Sequence, residues 1–178
     1  MNRNIGVNPR KISLAAMLGA FTLLFLYIAS VIPTGRFAVY FLSSVFVAAL
    51  MVEYDTGLAF LMFVAVSLLS FLILPDRTRV FYYILFFGHY GIGKHFIEKI
   101  KDKVVAFVLK LLYFNAAMGL MYLLATKLLV ADTVSPLPVW VLLIIAQIVF
   151  VVYDYLYSMV TQFYVQHIRK WLIRTPRS

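Results

Sequence analysis

Apolar residues fill this chain from Ile12 to Tyr164 in blocks of about 20 residues, long enough for a helix rising 1.5 Å per residue to cross a ~30 Å bilayer core. Polar breaks fall at Thr34 to Arg36, Asp55 to Gly57, Pro75 to Arg77, Glu98 to Lys103 and Asp132 to Pro138. The pattern predicts spans over 12–33, 37–54, 57–74, 79–97, 104–130 and 138–165. Pro33, Thr34 and Gly35 make a turn signal after the first span. The brief break from Glu53 to Gly57 predicts a tight hairpin between the second and third. Pro75 ends the third, and Pro136 and Pro138 open the sixth, where a missing N–H costs little. The fourth span is the least regular, because Gly88, Gly91 and Gly93 weaken its second half. The blocks are continuously apolar and do not alternate, which disfavours the strands of a membrane barrel.

The expected fold class is therefore an all-α membrane protein, a six-helix bundle over 12–165 with basic tails at 1–11 and 166–178. Composition agrees. Hydrophobic residues are 64% and charged residues 13%, against about 25% charged in a soluble domain. A soluble enzyme is excluded. Cysteine is absent, which removes disulfides, thiol catalysis and Cys-ligated zinc. The net charge of +9 sits at helix ends and not on a soluble face, so membrane lipid is the expected partner and nucleic acid is not. The apolar run after the basic N-terminus exceeds a signal-peptide core, so cleavage near Ala29 and Ser30 is not expected.

Lys and Arg counts orient the bundle. With the N-terminus cytoplasmic, the inner segments carry eleven cations (Arg3, Arg10, Lys11, Lys94, Lys99, Lys101, Lys103, Arg169, Lys170, Arg174 and Arg177) and the outer segments four (Arg36, Arg77, Arg79 and Lys127). Both termini are expected inside, in a plasma-membrane protein. Trp140 and Trp171 suit interfacial anchors.

Few residues offer chemistry. Gly88 to Lys94 fits the spacing of a phosphate loop, yet His95 replaces the required Ser or Thr and the context is a membrane helix. Close packing through small residues explains it better, and a softened helix lining a cavity is a further reading. His89 lies mid-span, where an ionisable group is either functional or hydrogen-bonded to a neighbouring helix. His95 and Glu98 alone do not make a metal site. Asn115 and Gln147 are polar residues within spans five and six. Asp154 must face the interior, and Lys110 is its most plausible partner. The many tyrosines are belt residues or walls of an aromatic cavity, and Arg36, Arg77 and Arg79 meet headgroups or clamp an anion. In span one, Ala15/Gly19 and Ala16/Ala20 are overlapping pairs of small residues four apart, a flat stripe that another backbone can approach.

Chain length, six spans, the basic N-terminus and the alanine-rich stretch from Ser13 to Ala20 together resemble the substrate-binding (S) components of energy-coupling factor transporters, which import vitamins and related micronutrients in prokaryotes. The resemblance implies that Ala16 and Ala20, with Ala15 and Gly19 beside them, dock on a membrane coupling subunit powered by two cytoplasmic ATPases. It implies a small-molecule substrate held toward the outer side. By location the candidates are Arg36, Arg77, Tyr82, Tyr83, Asn115, Tyr122, Trp140 and Gln147. No signature of a thiamin, riboflavin, biotin or folate member is present. No cofactor, metal or catalytic residue is expected. The alternative is a non-catalytic membrane scaffold that binds partners through its first helix. A membrane-embedded enzyme is disfavoured because the carboxylates are scattered over loops on different sides.

Overall fold

The structure is a computed structural model that describes residues 9–127 and 138–168. Most of the basic tails, Trp171 and the loop expected around Asp132 to Pro136 lie outside the described residues, whereas Arg10 and Lys11, expected in the N-terminal tail, belong to the first helix. Helix α1 is Pro9–Val31, α2 is Arg36–Glu53 and α3 is Thr56–Ile73. A 3-10 turn at Arg77–Arg79 leads into α4, over 80–97. Helix α5 is Lys103–Lys127, and α6 is Val139–Phe163, followed by a π turn at Tyr164–Ile168. There is no strand among the described residues. Five helices (α1, α2, α3, α5 and α6) are long and apolar enough to cross a membrane.

The breaks work as their residues predict. Gly35 turns the chain between α1 and α2 at φ 79°, a left-handed conformation that glycine adopts without penalty. Asp55 caps α3 by accepting a hydrogen bond from the Leu58 N–H at 2.8 Å, closing the α2–α3 hairpin. Pro75 follows the end of α3 at Leu74.

Helix α4 differs from expectation. Its glycine-bearing half, Gly88–Ile97, is regular α-helix, and the irregularity is a π turn at Tyr83–Phe87. The glycines are sites of close approach. A Cβ on Gly88 would lie 2.5 Å from the Phe63 ring, one on Gly91 would lie 1.9 Å from Tyr157 Oη, and one on Gly93 would lie 3.1 Å from the Tyr113 ring. Three aromatic side chains from α3, α6 and α5 thus close onto α4 where it has no side chains. This is the small-residue packing expected of Gly88, Gly91 and Gly93.

Helices α1, α2 and α3 form one tightly packed group, and α4 joins it through α2 and α3. The core is aromatic. Tyr90 packs edge-on to Tyr153 at 5.0 Å and to Tyr157 at 5.5 Å between ring centroids, and Phe114 stacks on Phe150 at 4.5 Å. Such pairs add about 0.5–1.5 kcal/mol beyond their area burial. Helices α5 and α6 are covered far less. In their apolar stretches 17% and 11% of residues are buried, against 28–39% for α1 to α3.

The helices run alternately up and down. One end, here the near end, gathers Lys11, Glu53, Asp55, Glu98 and Tyr164: Lys11 pairs with Asp55 at 3.8 Å, and Tyr164 Oη donates to Glu53 at 3.2 Å. The far end gathers Ser30, Tyr40 and Arg79, with Tyr40 Oη donating to the Arg79 carbonyl at 3.2 Å.

Candidate functional site

Spacing on α4 places Tyr90, Lys94 and Glu98 four residues apart on one helical face. Helix α6 presents Asp154 and Ser158 in the same way, and α5 contributes Lys110. They meet toward the near end. The Lys94 ammonium donates to Asp154 Oδ1, to the Asp154 carbonyl at 2.9 Å and to Ser158 Oγ at 2.7 Å. Tyr90 Oη donates to the same Oδ1 at 2.6 Å. Lys110 donates to the other oxygen, Oδ2, at 3.1 Å and to Glu98 Oε1 at 2.6 Å. Glu98 also stands 3.6 Å from Lys94. The lysines are buried, 5% and 8% exposed, while Glu98 reaches out at the end of α4.

Two cations and two carboxylates balance, and both Asp154 oxygens are hydrogen-bonded. Charges withdrawn from water are tolerated on those terms, because the desolvation penalty of several kcal/mol per ion is offset only by close, fully bonded partners. The pairing expected between Lys110 and Asp154 is present. The composition of spans four and six gave no warning that Lys94 joins it. The available signal was Lys94 at helical spacing from Tyr90 and Glu98 in an otherwise apolar turn.

A cavity of about 190 Å³ opens beside this cluster, between α2, α4 and α6. Ala48, Met51, Val52 and Gly91 form its apolar side, and Lys94, His95, Glu98, Ser158, Thr161 and Gln162 its polar side. A shallower cavity of about 480 Å³ lies at the start of α1, lined by Pro9, Arg10, Ser13, Leu14, Met17 and Tyr54. Both are at the near end.

The eight residues expected at a substrate site line neither cavity. Arg36 Nε donates to the Ile32 carbonyl at 3.0 Å and so caps α1. Arg77 is exposed in the 3-10 turn. Tyr82 is 41% exposed, while Tyr83 is enclosed, its ring against Phe63 at 5.8 Å and its hydroxyl without a hydrogen-bond partner among the described residues. Tyr122 and Trp140 lie on the outer surface. Only Asn115 and Gln147 come together, with Gln147 Nε2 donating to Asn115 Oδ1 at 2.7 Å. Tyr40, Tyr83, Tyr90 and Tyr157 fill the core.

At the far end Arg79 is held within the protein. It pairs with Asp76 at 2.6 Å and donates from Nη1 to the Ser30 carbonyl. Asp76 also accepts from the Thr78 N–H at 3.1 Å, and the Thr78 hydroxyl bond, reinforced by Arg79, holds its carboxyl below the ordinary range. His89 is half-buried, with Nδ1 against Tyr113 Oη and its ring edge-on to Phe63 at 5.5 Å. It is tied to α5, as expected of a mid-span histidine that bonds a neighbouring helix.

Of the small-residue pairs in α1, Gly19 faces α3, where a Cβ would lie 3.6 Å from Val66 Cγ2, and Ala15 is half-buried. Ala16 and Ala20, about 100° further round the helix, are exposed.

The described residues thus define an all-α protein with the helix lengths and the apolar outer surface of a multi-pass membrane protein. No family model, no curated protein and no solved structure matches the chain.

Proposed function

We propose that this chain crosses the plasma membrane six times with both termini cytoplasmic, and that it is the membrane-embedded substrate-binding subunit of a small-molecule importer powered by separate ATPase subunits. The observation that carries this reading is the division of labour along α1. Gly19 is committed to α3, whereas Ala16 and Ala20 stand uncovered one helical turn apart, with Ser13 exposed below them. Small residues at this spacing let a second helix approach closely, and close approach is what holds helices together where lipid offers no hydrophobic drive. The partner that fits is the coupling subunit of the importer. Lysine and arginine counts in the sequence support the orientation, since the segments expected inside carry eleven cations and those expected outside four. The near end would then be cytoplasmic.

A second reading, a non-catalytic scaffold that binds membrane partners through α1, draws support from the cavities. Both lie at the near end, away from the residues expected to hold a substrate.

Co-expression with a coupling subunit and its ATPases tests the proposal. The wild-type chain is expected to co-purify with them and to retain a small molecule detectable by mass spectrometry. Ala16→Leu with Ala20→Leu is expected to lose the complex and keep the small molecule. A complex without any retained ligand favours the scaffold. A complex that survives both substitutions overturns the role of α1.

A further inference from the structure

Asn115 sits halfway along α5 and Gln147 about a third of the way along α6, both facing the poorly covered side of the bundle. Asn115 is exposed and Gln147 half-buried. Their mutual bonding is incomplete. Gln147 Nε2 donates to Asn115 Oδ1 at 2.7 Å, and Asn115 Nδ2 donates to the Leu111 carbonyl at 2.7 Å, but the return bond to Gln147 Oε1 is 3.5 Å long. Each primary amide has two N–H donors and an oxygen with two lone pairs. Among the described residues, one N–H of Gln147 and capacity on both oxygens remain unused, at the depth where hydrocarbon supplies no partner.

The backbone next to this pair is also open. Ala116 is exposed, and among the described residues a Cβ added to Gly119 would meet nothing within 4 Å. Asn115 and Gly119 are one turn apart, so a polar group and a bare backbone share one uncovered face. The exposed amide pair distinguishes this face from the large apolar side chains, such as Leu61, Leu72, Leu112 and Ile148, exposed elsewhere on the helices.

We infer that the α5–α6 face carrying Asn115, Gln147 and Gly119 is an interface between two copies of this chain. A second copy fits because the patch complements itself. Each amide both donates and accepts, so a two-fold axis through the pair sets the spare N–H of each Gln147 against an oxygen of the other copy. Gly119 gives the room for the two α5 helices to come that close. The face lies on different helices from the α1 stripe, so the two contacts do not depend on each other.

The absence of cysteine makes the test direct, since a single introduced thiol is the only one in the chain. In native membranes under mild oxidation, Gly119→Cys is expected to cross-link into a species of twice the chain mass. Leu61→Cys, at an α3 position that is 65% exposed, is expected not to. Asn115→Leu with Gln147→Leu in the Gly119→Cys background should reduce the cross-linked fraction at least several-fold, and Asn115→Gln should preserve it. Equal cross-linking at positions 61 and 119, none at 119, or no response to the double leucine change overturns the interface. A cross-link to a protein of different mass overturns the second copy as its occupant.

Discussion

Asp154 ties three helices together toward the near end. Its carboxylate joins Lys94, Lys110 and Tyr90, which come from two other helices. Asp154→Asn keeps the shape and leaves two buried lysines facing only Glu98. Removing one partner of a buried pair costs about 3–5 kcal/mol, whereas a half-exposed partner contributes about 0–1 kcal/mol. Asp154→Asn is therefore expected to lower the thermal unfolding temperature in detergent sharply, and Glu98→Gln to shift it little. Equal shifts would mean that the cluster is wet and that the pairs matter alike. The expectation of a Lys110–Asp154 pair came from depth alone, because both residues fall in the near half of adjacent spans. Lys94 was missed because its position near a helix end is equally that of a lysine reaching headgroups. What separates the two cases is which face of α4 meets α6, and that depends on the packing of Gly91 against Tyr157.

At the scale of elements the pattern of apolar blocks was nearly sufficient. The predicted 37–54 and 57–74 lie within one residue of α2 and α3, because Asp55 both interrupts the hydrophobic run and caps the helix that follows. Helix α4 was harder to read. Glycine lowers helix propensity by about 1 kcal/mol each, which made Gly88 to Gly93 look weak. Tertiary contacts reverse that, since Phe63, Tyr157 and Tyr113 occupy the space that three side chains would need. Gly91→Ala is accordingly expected to destabilise the fold by about 1–3 kcal/mol, as overpacked cores do, because Tyr157 must leave its place among Tyr90, Tyr153 and Phe41. Gly93→Ala, with its nearest neighbour at 3.1 Å, should cost less. Urea unfolding in mixed micelles would rank them, and the reverse order would show that Tyr157 has room to move. The π turn at Tyr83–Phe87 had no legible signal, because its residues are ordinary helix-compatible aromatics and aliphatics.

For the whole molecule, an even number of crossings is the statement on which orientation and the importer reading both rest. Reporter fusions after residue 10 and after residue 168 are expected to fall on the same, cytoplasmic, side, and a fusion in the Pro75 to Arg77 connection on the other. Fusions that place the two ends on opposite faces would remove a crossing, and the first candidate is α4, the segment interrupted by a π turn. The bundle divides unevenly. Helices α1 to α4 pack as one body, and α5 and α6 lean on it with most of their surface turned outward. The candidate substrate residues share a depth from mid-span to the far end, not a face. Geometry scatters them between surface and core, since sequence gives the depth of a residue in a span but not its azimuth.

The ion cluster also has a consequence for how the protein is made. Lys94 and Lys110 leave the ribosome well before Asp154, which lies on α6. Until that helix arrives, the nascent chain has two ammonium groups that, among the described residues, only Glu98 offsets. Final seating of the fourth and fifth helices must therefore wait for the sixth, so a message truncated before residue 138 would yield a product open to quality-control proteolysis.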